Sequence, residues 1–149
     1  MPIKNYTTKI PAVQTVGEIQ GLLAQHGACK VMIDYSDDGR VESVTFGLLI
    51  NGSLAGFKID AKPDGVANVM KKDGIKCDSV QAERIAWRNV KDWIAAQLAL
   101  VETEQASMQQ VFLPYFVSGE KTLYEKIISS GFQPALRGIT WEESEECPN

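Results

Sequence analysis

The sequence predicts a single α+β domain: an N-terminal helix, a three-stranded antiparallel meander, then a long central helix and shorter C-terminal helices. Three observations carry this. Two short-range hairpin signals, Asp37-Asp38-Gly39 and Asn51-Gly52, separate three runs rich in β-formers. The longest helical pattern follows from about Val80 to about Glu104. Strands cluster early and helices late, an order that excludes alternating α/β architecture. The 149 residues, 44% hydrophobic and 23% charged, suit one ordinary globular domain.

In chain order, Thr15 and Glu18 stand at capping-box spacing, so a helix is predicted over residues 16–26 with Val16, Ile19, Leu22 and Leu23 inward. Gly27 then serves as its terminator. His26, beside it, is expected to place an imidazole at the negative end of the helix dipole. Strands are predicted over Cys29–Tyr35, Val41–Ile50 and Leu54–Asp60. After Pro63 a short helix is expected over Val66–Lys72, and Asp78 or Ser79 is placed to cap the long one. Ser107–Phe116 reads as helix disturbed by Pro114, and Thr122 caps a last helix through Ser130. Residues 1–138 are assigned to the domain. Residues 139–149, with four glutamates in WEESEE, are expected to form a loose acidic tail.

On a wheel at 100° per residue, the apolar positions of the long helix spread over about 220°, twice the width of an ordinary surface stripe. That helix needs cover on several sides, so it is either a central strut or partly a contact between copies, and a homo-oligomer is expected. Its polar edge carries Arg84, Arg88 and Lys91, with Trp87 near in sequence. Arginine forks beside aromatic rings are the means of holding a phosphorylated ligand. The predicted ligand site is therefore Arg84, Arg88 and Lys91 for phosphate, with Trp87 or Tyr115 stacking on a base.

No phosphate-cradling glycine motif, metalloprotease helix or nucleophile elbow occurs, so no catalytic residue, metal ligand or cofactor is assigned. One histidine and three scattered cysteines, Cys29, Cys77 and Cys147, supply neither a metal centre nor a disulfide framework. The cysteines are expected to be reduced thiols, one or two of them buried. No run is apolar enough for a membrane span, and no signal peptide is evident, so the cytosol is expected. The net charge of −4 is uneven: residues 1–91 are slightly basic and residues 92–149 strongly acidic, which disfavours bulk nucleic-acid binding.

With the helix WRNVKDWIAAQLALVE, the following VFLPY and KTLYE, and YTTKIP near the start, the chain resembles a family of small bacteriophage and prophage proteins over residues 6–130. The resemblance implies the cytosol of an infected or lysogenic bacterium and an accessory role. It implies no activity. By analogy with other phage accessory proteins it suggests action against host defence. The leading expectation is thus a non-enzymatic binding protein that sequesters a nucleotide-type signal or blocks a host protein. Two alternatives stand beside it. The α-β-β-β-α order is also that of the double-stranded RNA-binding domain, with Lys71, Lys72 and Lys76 after the third strand. Asp34, Asp37 and Asp38 could instead serve a small metal-dependent hydrolase.

Overall fold

A computed structural model describes residues 2–131. The chain runs α1 (Ala12–Gln25), β1 (Lys30–Tyr35), β2 (Val41–Ile50), β3 (Ser53–Asp60), α2 (Pro63–Lys72), α3 (Ser79–Glu102), α4 (Met108–Phe112), β4 (Val117–Ser118), β5 (Lys121–Thr122) and α5 (Leu123–Ser129). The predicted α+β class and element order are present. The acidic tail and Cys147 lie outside the described residues.

β1, β2 and β3 form an antiparallel sheet in sequential order. Asn51 and Gly52 take φ of 51° and 80°, the left-handed pair that a type I′ turn requires. In the first hairpin the Gly39 amide donates to the Ser36 carbonyl at 2.9 Å, and Gly39 itself takes φ 83°. Alternation puts Val44, Phe46 and Leu48 of β2, with Phe57 and Ile59 of β3, on the buried face. Lys30, Met32 and Asp34 of β1 fall on the opposite face, along with Leu49, Leu54 and Lys58, all of them exposed but Asp34.

α1 begins four residues earlier than the sequence reading placed it, and the Thr15–Glu18 capping box does not form. Pro11 occupies the N-cap position without a side-chain cap, and Thr15 lies inside the helix, fully buried. Glu18, well inside the helix, pairs with Arg88 of α3 instead. Spacing of a hydroxyl and a carboxylate is a local signal, and here the helix already runs through Thr15, which leaves it no free first-turn amide to cap.

The capping signals further on hold. Asp78 Oδ1 accepts the Gln81 amide at 2.8 Å at the start of α3. Thr122 and Glu125 form a reciprocal capping box at α5. α3 is the strut that the wheel suggested: Ala82, Ile85, Ala86, Trp87, Ile94 and Leu98 are buried, an arc of about 220°. Its exposed large apolar side chains, Val80 and Leu100, sit near its two ends. An aromatic chain then ties the sheet to the C-terminal segment. Phe46 stacks on Phe57 at 5.4 Å, Phe112 meets Phe46 edge-on at 5.1 Å, and Trp93 meets both Phe112 and Tyr115.

Pro114 stops α4 and leaves a single 3-10 turn, Leu113–Tyr115. The β4–β5 hairpin around Gly119 was not anticipated, because two-residue strands carry no period. Cys29 is exposed and Cys77 half-buried, so neither described thiol is in the core.

His26 latches the C-terminal ends of α1 and α3. Its Nδ1 lies 2.7 Å from the Leu22 carbonyl oxygen and its Nε2 lies 2.5 Å from Glu102 Oε1. Both partners are acceptors, so both contacts are satisfied only when both ring nitrogens carry a proton. The Leu22 carbonyl, and behind it the Glu102 carboxylate, hold the imidazole pKa above its usual 6.5, against the opposing effect of burial. A raised folded-state value means the latch stabilises fully below pH 6.5 and fades as pH climbs through the folded value. The stability gap between the wild type and His26→Gln, read from urea midpoints, is expected to be widest in mildly acid buffer and to shrink in mildly alkaline buffer. A gap independent of pH would contradict the doubly bonded imidazolium.

Candidate functional site

The five residues read from the sequence as a ligand site do not come together. Trp87 is 0% exposed and its Nε1 donates to the Val41 carbonyl at 3.3 Å, so no base can reach its ring. Arg88 binds Glu18 and donates to Thr15 Oγ1 at 3.4 Å, with its side chain only 16% exposed. Lys91 lies 3.9 Å from Asp92, which also takes Lys4 at 3.4 Å and the Asn5 amide at 2.9 Å. Its neighbours depress the Asp92 pKa despite burial: Asn5 by hydrogen bonding, Lys4 and Lys91 by charge. Arg84 alone of the three forms no salt bridge among the described residues, donating to Gln81 Oε1 at 3.4 Å beside a depression of about 160 Å³ that Glu83 also lines. Tyr115 packs on Trp93, five residues and therefore about 140° around α3 from Arg88.

The wheel groups the three cations on one edge of α3, and there they lie half-buried. It could not show that α1 and the N-terminal segment bring their own acids and amides to that rim.

Tyr115 instead lines a hollow of about 670 Å³ where the end of β3 meets the 3-10 turn, the β4–β5 hairpin and the start of α5. Lys58, Lys62 and Lys121 project there from three separate elements, and Tyr124 joins Tyr115. Among the described residues none of these three lysines forms a salt bridge, in contrast to Arg88 and Lys91. Asp60, Glu120 and Glu125 also line the hollow. Glu125 is engaged in its cap, accepting the Thr122 hydroxyl at 3.0 Å and the Thr122 amide at 3.3 Å. Those bonds chiefly, with Lys58 and Lys121 adding charge, lower its pKa.

A neighbouring hollow of about 710 Å³ shares Lys58, Asp60 and Lys62 and reaches to Tyr35 and Arg40. It adds Asp34, Asp38, Glu42 and Glu83. Acids predominate there, and Arg40 is already bound to Asp38 at 3.3 Å. An anion is therefore better accommodated on the Tyr115 side. Lys58, Lys62, Lys121 and Tyr124 carried no signal in the sequence, since only the docking of the C-terminal hairpin on β3 brings them together.

The alternatives weaken on their own geometry. α1, which would meet a duplex if the chain bound RNA through that motif, contains no Lys or Arg. Asp34 accepts the Ser43 hydroxyl at 3.1 Å, and Asp38 is held by Ser36 and Arg40. Among the described residues no three His, Cys, Asp or Glu side chains converge to hold a metal ion, and no helix is long and apolar enough to cross a membrane. Compared with family models, curated proteins and solved structures, the chain matches none.

Proposed function

We propose that this protein is a non-catalytic binder that sequesters a small, nucleotide-type anion in the hollow beside β3. The observation that carries the reading is the convergence of three lysines that form no salt bridge among the described residues, Lys58, Lys62 and Lys121, beside Tyr115 and Tyr124. Ammonium groups suit phosphate oxygens, and a tyrosine face suits a base. The resemblance to phage accessory proteins supports a setting in which removing a host nucleotide signal is useful.

Thermal-shift and calorimetric titration with mono-, di- and cyclic nucleotides test it. A binder present at 100 times its Kd stabilises the fold by about 2.7 kcal/mol. Lys58→Glu combined with Lys121→Glu is expected to abolish that stabilisation, and Arg84→Ala to leave it unchanged. No stabilisation by any nucleotide at millimolar concentration, or equal stabilisation of the lysine variant, would overturn the reading.

A further inference from the structure

β1 is the open edge of the three-stranded sheet. The outer side of β3 is met by an antiparallel bridge between Phe57 and Phe116, but among the described residues nothing pairs with the outer side of β1. An uncovered edge presents a row of backbone donors and acceptors that a second strand can complete.

The residues on this edge form a palindrome of a particular kind. Lys30-Val31-Met32-Ile33-Asp34 is symmetric about Met32 in hydrophobicity and antisymmetric in charge. We propose that two copies of this chain join β1 to β1, antiparallel, about a two-fold axis through Met32, giving a continuous six-stranded sheet.

In that register each Lys30 lies opposite the partner's Asp34, so two oppositely charged cross-strand pairs form at once. Val31 lies opposite the partner's Ile33 on the core face. Met32, 55% exposed, lies beside its own symmetry mate on the outer face.

Neighbouring registers do not offer this. Moving the axis half a residue sets core-facing positions against outward-facing ones, which the alternation of a sheet does not permit. Moving it one residue, to Ile33, sets Asp34 against the partner's Met32 and loses both charge pairs. The β-bulge between Asp34 and Tyr35 ends the regular edge just where the palindrome ends. A lone edge lysine normally repels strand addition; Asp34 cancels that repulsion for a copy of the same strand in this one register.

Light-scattering mass across a concentration series tests the pairing. The wild type is expected to reach twice 16.4 kDa. Lys30→Asp sets acid against acid at two symmetric places, and the dimer dissociation constant is expected to rise about tenfold or more. Asp34→Lys should do the same with lysines. An equimolar mixture of the two single variants should restore a dimer, because every cross-strand pair is then complementary.

Asp34→Lys also deprives Ser43 of its acceptor, so circular dichroism is run on each variant. If that chain does not fold, Lys30→Asp at its exposed position decides alone. A monomeric wild type, or a Lys30→Asp chain that dimerises as tightly as the wild type, overturns the proposal. So does a mixture of folded variants that stays monomeric.

Discussion

Replacing Trp87 by alanine is expected to cost about 3–5 kcal/mol of folding stability. The side chain is fully buried in the core formed by α1, the inner face of the sheet and α3. Deleting it removes the transfer energy of a large ring and leaves a cavity that α3, as a rigid strut with neighbours on several sides, cannot collapse to fill. The deletion also leaves the Val41 carbonyl without the indole donor, at the end of β2 nearest the first hairpin. Trp87→Phe separates the two contributions: it keeps most of the ring, loses the hydrogen bond, and is expected to cost about 1–2 kcal/mol. A domain of ordinary stability, about 5–15 kcal/mol, would survive the second change and approach its threshold with the first. Urea midpoints at constant m-value check both. A loss under about 1 kcal/mol for Trp87→Ala would show that the residue is not enclosed as described.

Trp87 also shows where the sequence was legible and where it was not. A 24-residue helix apolar over most of its circumference announces a strut, and the two hairpin turns announce the meander, because both signals are local and strong. The side of that strut on which an individual residue ends up is not local. Trp87 lies one position from Arg88, yet one faces the sheet and the other faces α1. Arg88 reads as a free cation because Glu18, which binds it, and likewise Asn5 and Lys4, which engage Asp92 beside Lys91, lie some 70 to 90 positions away in the chain. The lysines of the proposed site were invisible for the converse reason. Lys58, Lys62 and Lys121 come from a strand, a loop and a two-residue hairpin strand, and no period or motif links them.

Arg88 gives the second large effect and distinguishes a structural role from a ligand role. Arg88→Met is expected to cost about 1–3 kcal/mol, between the value for an exposed ion pair and that for a fully buried one. Two facts set that range. The Glu18 side chain is 39% exposed, so solvent screens the pair and holds the cost below the buried limit. Thr15 is fully buried, so losing the Arg88 donor is felt at its hydroxyl, which keeps the cost above the exposed limit. Glu18→Gln, which retains an acceptor for the guanidinium, is expected to cost less than Arg88→Met, and the double variant to cost less than the sum of the two. Methionine keeps the apolar stem of the arginine packed between α1 and α3, so the loss reports on the guanidinium rather than on a void. If Arg88 acts only as this clamp, a nucleotide that stabilises the wild type will stabilise Arg88→Met by the same increment from a lower baseline. A variant as stable as the wild type but blind to the nucleotide would move the binding site back to the rim of α3.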